Sequence, residues 1–159
     1  MTREHLEQFK PLQIEAKALG DEIARHEQLL INCRLAQKRI KEIGVVLSAP
    51  EHIQTLETAV SLGEKYEQTI IDTIGAVKSR HNKILRQVEE IEDFVMSLPP
   101  KEGQVIYHRY ILGMTWHEVA RKLNFNEAYL HRLCANYITN SKKRGRKKKN
   151  PTAPWQVVG

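Results

Sequence analysis

The feature that most constrains this fold is a long repeat of apolar residues in the middle of the chain. Between residues 51 and 98, a series of positions spaced alternately three and four residues apart is interrupted only by Gly63, Glu67 and His81. This spacing predicts one long amphipathic helix, which cannot bury its apolar stripe alone and must pair with another helix. The apolar members of the series are Ile53, Leu56, Val60, Ile70, Ile74, Val77, Ile84, Val88, Ile91, Val95 and Leu98.

A second, less regular repeat precedes the first and predicts the partner helix. Residues 4–47 read as one helix whose coiled-coil seam is interrupted by His26, Gln37 and Gly44. Pro11 either ends a short preceding turn or starts the helix proper. The apolar seam residues are Leu12, Ala16, Leu19, Ile23, Leu30, Cys33, Ile40 and Leu47.

The interval between the two repeats predicts a bend. Ser48 and Glu51 fit a helix-capping box, with Pro50 in the first turn, so the bend is expected near residues 44–50. A short connection makes the helices antiparallel. Residues 1–98 are therefore predicted to form a helical coiled-coil arm. Its stripe can close on itself as a hairpin or pair with a second copy, and we expect a homodimer through the arm.

The arm should end at Leu98, because two prolines follow it and a residue before proline is pushed out of the helical region. Residues 99–141 then carry signals for short helices. Residues 101–112 form the first, with Val105, Ile106 and Tyr110 inward. Aromatic residues are sparse, at 6%, and no alternating strand pattern occurs. The predicted fold class is all-α.

A second and a third short helix are marked by their ends. Thr115 and Glu118 form a capping box, Asn124 suits a left-handed helix end, and Asn126 can cap the next helix. Helical spacing turns Leu130, Leu133, Cys134 and Tyr137 inward. Two short helices with a tight turn and a polar-faced second helix match the geometry of a helix-turn-helix that docks in the major groove of DNA.

The outward face of the third helix is the candidate DNA-binding surface. Arg132 can form a bidentate contact with guanine, and Glu127 can accept a hydrogen bond from cytosine. The alternative for each residue is an ordinary exposed helix position. The candidate DNA-binding residues in this segment are Thr115, Asn126, Glu127, Ala128, Tyr129, His131, Arg132 and Asn136.

Charge is divided unevenly along the chain. Residues 1–98 hold 13 Lys and Arg against 16 Asp and Glu, a net of −3, whereas residues 99–159 hold 12 against 3, a net of +9. Residues 142–159 are expected to be a disordered basic tail that binds phosphates without reading sequence. A nuclear-localisation signal is the rival reading of that tail. Its candidate DNA-binding residues are Lys142, Lys143, Arg144, Arg146, Lys147, Lys148 and Lys149.

The stretch of about forty residues from Leu98 to Tyr137 resembles the promoter-reading fourth region of bacterial sigma factors. The residues that carry the resemblance are Leu98, Pro99, Pro100, Val105, Ile106, Arg109, Tyr110, Gly113, Thr115, Glu118, Val119, Ala120 and Leu123. With a helical arm before it, the chain looks like the small sigma-region-4-like regulators of phages and prophages. Two departures are His108, where an aliphatic residue is usual, and the turn formed by residues 124–126. The resemblance implies an activator of late transcription.

Other classes of function lack sequence support. No stretch of 18 apolar residues and no secretory signal is present, so we expect a protein of the bacterial host cytoplasm with no membrane partner. Cys33 and Cys134 lie far apart and are expected to be free thiols. No phosphate loop, nucleophile motif or metal-ligand spacing occurs. We therefore expect no enzyme activity, no cofactor and no metal.

The function expected from the sequence is sequence-specific transcription regulation on double-stranded DNA of a phage or prophage. One alternative is a DNA-packaging protein of the small terminase type, which also joins a helix-turn-helix to a coiled coil and forms rings. Another is a sigma-like subunit that binds specifically only with host RNA polymerase. Subunit number and the need for polymerase distinguish the three.

Overall fold

The computed structural model describes residues 1–46 and 50–139, and their regular structure is helical apart from one isolated bridge between Thr2 and Thr139. The all-α prediction is confirmed. The elements are α1 (Arg3–Glu7), α2 (Phe9–Val46), α3 (Pro50–Ser97), α4 (Pro100–Ile106), a π-helical turn (Tyr107–Ile111), α5 (Trp116–Leu123) and α6 (Glu127–Ala135).

The two long helices pack against each other as an antiparallel hairpin. Glu15 pairs with Arg80, Glu27 with Lys78 at 2.7 Å, and Arg34 with Glu67 at 2.7 Å, so residue numbers rise along α2 as they fall along α3. The predicted antiparallel arrangement is confirmed. The predicted cap at Ser48 lies outside the described residues, and Pro50 is the first residue of α3.

The apolar stripe of the arm is buried inside this hairpin. The buried seam residues are Ala16, Leu19, Ile70, Ile74, Ile84, Val88, Ile91 and Val95. Ile53 departs from the prediction, because 47% of it is exposed in the first turn of α3. Because α2 and α3 of one chain cover the buried seam residues, a homodimer through the arm would have to use a different surface.

The polar residues that interrupt the two seams meet each other. Gln37 is buried, and its Nε2 donates to Glu67 Oε2 at 3.1 Å. A Cβ atom at Gly63 would lie 3.2 Å from Gln37 Cγ, so the glycine leaves room for the glutamine. Polar groups that must satisfy one another in a seam favour one register of the helices over its neighbours.

The first predicted helix is broken near its start. The sequence pattern assigned residues 4–47 to one helix, whereas α1 ends at Glu7 and α2 begins at Phe9. Pro11 explains the break, because it has no N–H to donate to the carbonyl of Glu7, four residues earlier. In the first turn of α2 that missing donor costs nothing, since no partner exists there. Both readings of Pro11 therefore hold.

The contacts divide the chain into two units. Among the described residues, one unit lies within residues 8–98, and the other joins residues 1–7 to residues 99–139. The sequence pattern had assigned residues 1–98 as a whole to the arm. The difference arises because α1 packs against the π-helical turn, and Leu6 is fully buried. No described helix is both long enough and apolar enough to cross a membrane.

Candidate nucleic-acid interface

Helix α5 begins at a reciprocal cap. The Oγ1 of Thr115 accepts a hydrogen bond from the Glu118 amide at 3.3 Å, and Glu118 Oε2 accepts one from the Thr115 amide at 2.7 Å. The Thr115 amide lowers the pKa of the Glu118 carboxyl by this bond, and the Thr115 hydroxyl, which also donates to Glu118 Oε2 at 2.9 Å, lowers it further, because both bonds favour the charged form. The predicted capping box is confirmed, and the side chain of Thr115 is engaged in that cap.

The turn after α5 sets the direction of α6. Asn124 has a left-handed backbone, with φ 55° and ψ 43°, and its amide donates to the Ala120 carbonyl. The side-chain oxygen of Asn126 then accepts from the Ala128 amide at 2.8 Å, which starts α6. Both predicted caps are confirmed. Asn126 is therefore a residue that positions α6, as Thr115 positions α5.

Helix α6 buries one face and exposes the other. Leu130 and Cys134 are buried, and Leu133 and Tyr137 are half-buried, as the spacing predicted. Burial raises the pKa of the Cys134 thiol to about 11, which keeps it protonated at neutral pH. The candidate residues on the opposite face are all exposed: Glu127, Ala128, Tyr129, His131, Arg132 and Asn136.

Two exposed polar side chains at the start of the helices are already paired. His117 Nδ1 lies 3.0 Å from Glu127 Oε1, joining the first turn of α5 to the first turn of α6. Sequence reasoning did not single out His117, because the contact joins positions ten residues apart across a turn. Glu127 can therefore contact cytosine only if it leaves this imidazole or shares its oxygens.

Arg132 is exposed and weakly held. Its Nε donates to the Ala128 carbonyl of the preceding turn at 3.4 Å, a long bond. No salt bridge to Arg132 occurs among the described residues. The guanidinium is therefore free to rotate toward a ligand at low cost.

Aromatic rings support two of the exposed candidate residues. The Tyr129 ring lies 5.3 Å from the Phe125 ring, and the His131 ring lies 4.3 Å from the Trp116 ring. The first pair joins α6 to the turn that precedes it, and the second joins α6 to the first residue of α5. Trp116 and Phe125 carried no functional assignment from sequence, because their role depends on the turn that brings them to α6.

The π-helical turn carries two half-buried polar side chains, Arg109 and His108. The Arg109 guanidinium donates to the Met114 carbonyl at 3.1 Å and lies over the rings of Tyr110 and Trp116. Desolvation, helped by nearby Lys122, lowers the pKa of His108. Val105, Ile106 and Tyr110 are buried, so the predicted inward set of this segment is confirmed.

The end of the unit that follows α6 is held by the first residues of the chain. The amide of Thr139 donates to the Met1 carbonyl at 3.2 Å, and its hydroxyl donates to the same oxygen at 3.2 Å. Residues 142–149, the predicted phosphate-binding block, lie outside the described residues.

Comparison of the chain with protein-family models, with curated proteins and with solved structures yielded no match in any of the three. Among the described residues, no three His, Cys, Asp or Glu side chains come together as a metal site would require. The geometry of α5, the turn and α6 is therefore the main indication of function among the described residues.

Proposed function

We propose that the protein is a sequence-specific DNA-binding regulator of phage or prophage transcription. The single observation that carries the proposal is the exposed face of α6, which begins at a capped, well-defined turn. A recognition helix contacts bases with its N-terminal part, and here that part presents Glu127, Tyr129 and Arg132. The net charge of +9 over residues 99–159 favours a polyanionic partner.

Selection of bound duplexes from a random DNA pool tests the proposal. We expect enrichment of a defined sequence by the purified protein alone. Enrichment that requires added RNA polymerase would favour a sigma-like subunit instead. A ring of many copies that binds without sequence preference would favour DNA packaging.

Arg132→Ala tests which contact this side chain makes. Loss of a bidentate guanine contact costs ~1 to 3 kcal/mol of discrimination, or roughly 5- to 150-fold. We expect the ratio of target to random affinity to fall by that factor at fixed salt. Arg86→Ala, an exposed arginine on the arm, is the matched control and should leave the ratio unchanged. An equal loss on both DNAs would make Arg132 a phosphate contact.

Deletion of residues 142–149 tests the tail separately. Each phosphate neutralised contributes about −0.9 to the slope of log affinity on log salt. We expect the deletion to weaken target and random DNA alike and to flatten the slope by several units. An unchanged slope would show that the tail does not contact DNA.

A further inference from the structure

The two sides of the arm differ in what they expose. Beside an antiparallel seam, the residues that flank the apolar positions fall on one side or the other. The ion pairs Lys78–Glu27 and Arg34–Glu67 mark one side, and Arg80–Glu15 marks the opposite side. The side marked by the first two pairs is named the paired-charge flank here. Six of its residues carry the argument: Ile31, Lys38 and Lys41 on α2, and Glu57, Glu64 and Ile71 on α3.

Opposite charges occupy the two helices of this flank. Lys38 and Lys41 line one concave surface together with Arg34, Gln37 and Glu42, and Lys38 Nζ lies 4.0 Å from Glu42 Oε1. Lys41 also lines the adjoining groove, whose other charged residues are Glu57 and Glu64. The side chains of Lys38, Lys41, Glu57 and Glu64 are all exposed. Among the described residues, Lys41, Glu57 and Glu64 have no ion-pair partner within 4.0 Å. Near the end of α2 and the start of α3, the flank thus presents a basic row on α2 beside an acidic row on α3. Farther along, the signs are reversed at Glu27 and Lys78, which pair with each other.

Apolar surface lies between and beyond these rows. The adjoining groove has a volume of about 370 Å³, and its apolar walls include Ile53, which is 47% exposed. Ile31 lies seven residues before Lys38 on α2 and is 51% exposed. Ile71 lies seven residues after Glu64 on α3 and is 37% exposed. A spacing of seven keeps each isoleucine on the face of its charged neighbour.

We propose that the paired-charge flank binds the same flank of a second copy of the chain, with the two arms side by side and pointing in the same direction. A half-turn about an axis along the arm sets α2 of each copy against α3 of the other, without changing any residue's height. Lys38 and Lys41 then face the acidic row of the second copy. Ile31 faces Ile71, because the two lie at the same height.

The opposite orientation is disfavoured by charge. Arms that point in opposite directions would set α2 against α2 and α3 against α3. If the overlap were centred on the rows, each basic row would face a basic row and each acidic row an acidic one. Like-charge juxtaposition across an interface costs several kcal/mol. If reversed arms overlapped along their whole length, the basic and acidic rows would not meet, because reversal also inverts the heights. Only the parallel arrangement therefore sets each basic row against an acidic row along the full flank.

The flank is large enough for a stable contact. From Glu57 to Leu85, which is also exposed, α3 rises about 43 Å at ~1.5 Å per residue, and two helices side by side are about 20 Å wide. The resulting face of roughly 800 to 900 Å² per copy matches a standard protein–protein interface. Parallel arms bring both C-terminal ends of α3 to one end of the dimer. The proposal does not depend on DNA binding.

Charge reversal with rescue tests the interface. Sedimentation of the full chain is expected to show a dimer. Lys38→Glu with Lys41→Glu, and separately Glu57→Lys with Glu64→Lys, should each weaken dimerisation by about 100-fold or more. An equal mixture of the two variants should dimerise again, because each reversed row then faces its opposite.

Reversal on the other side of α2 provides the matched control. Arg25→Glu with Arg39→Glu makes the same change of charge at exposed positions on the side of Glu15 and should leave the dimer intact. Circular dichroism checks that each variant keeps its helix. If a reversed variant unfolds, Ile71→Glu gives the same test without altering either charged row. A monomeric wild-type chain, a dimer that survives both reversals, or a mixture that stays monomeric would overturn the proposal.

Discussion

The arm and the C-terminal unit are both helical, but different features fix their helices. In the arm, a 48-residue helix and a 38-residue helix repeat the same seam contact many times. In the C-terminal unit, helices of five to nine residues depend on single caps and on a few fully buried side chains, such as Leu6 and Leu130. Repetition spreads the stability of the arm over many residues. One substitution should therefore damage the C-terminal unit more than the arm.

The largest effect is expected from Leu6→Ala. Leu6 is fully buried, and truncation of a buried leucine costs about 2 to 5 kcal/mol. A unit this small has little stability to lose. In a Trp155→Phe background, which is used for all fluorescence measurements, we expect Trp116 to report unfolding of the C-terminal unit at a lower temperature, while most of the arm's circular dichroism signal is retained.

Leu35→Ala is the control for that comparison. Leu35 lies on the arm and is 51% exposed, so its truncation should change stability by no more than about 0.5 kcal/mol. If Leu6→Ala were equally mild, the assignment of the first residues to the C-terminal unit would be wrong.

A smaller loss is expected from Thr115→Ala. The substitution removes the hydroxyl that accepts from the Glu118 amide, and loss of such a cap costs about 1 kcal/mol. Thr115→Asp, which keeps an acceptor, should retain most of the stability. Denaturant unfolding followed by Trp116 fluorescence measures both. Equal stability of the Ala and Asp variants would show that the cap is unimportant.

The left-handed turn offers a test of backbone preference. Asn124 has φ 55°, a conformation that costs an L-residue with an ordinary side chain roughly 1 to 2 kcal/mol. We expect Asn124→Ala to lose about 1 kcal/mol and Asn124→Gly to be close to neutral. The same unfolding measurement separates them, and an alanine variant as stable as the glycine variant would contradict the assigned turn.

The smallest effect concerns the acid sensitivity of the arm. The Arg34 guanidinium, by its hydrogen bond, holds the pKa of the Glu67 carboxyl below its usual 4.5. A folded-state pKa below the unfolded value stabilises the fold above about pH 4.5, and this contribution is lost as pH falls through the folded value. We expect Glu67→Gln to be less stable than the wild type at neutral pH.

The difference between Glu67→Gln and the wild type should shrink as the solution is acidified, because the wild-type carboxyl then becomes neutral as well. Thermal unfolding of both proteins across this pH range measures it. Glutamine has nearly the same shape as glutamate, so the two proteins differ mainly in the charge at residue 67. A difference that is independent of pH would exclude the ion pair as its cause.

Much of this fold can be predicted from the sequence, because the patterns that determine it involve residues close together in the chain. The seam of α3 repeats within one helix, and the caps at Thr115 and Asn126 act within three residues. The sequence indicated a possible break at Pro11. It did not indicate that Leu6 belongs to the C-terminal unit. That contact joins segments more than ninety residues apart. The pairing of His117 with Glu127 likewise depends on the angle between two helices, which no local pattern encodes.

The hydrogen bonds of Thr139 to Met1 have a consequence for synthesis on the ribosome. The N-terminal segment emerges first, yet its partners in the C-terminal unit are translated more than 130 residues later. At about 5 to 20 residues per second, the segment waits roughly 7 to 26 s before those partners exist. The hairpin of the arm can close during that interval because its contacts are nearer in sequence. A nascent chain stalled within α6 would therefore carry a folded arm and an unfinished C-terminal unit.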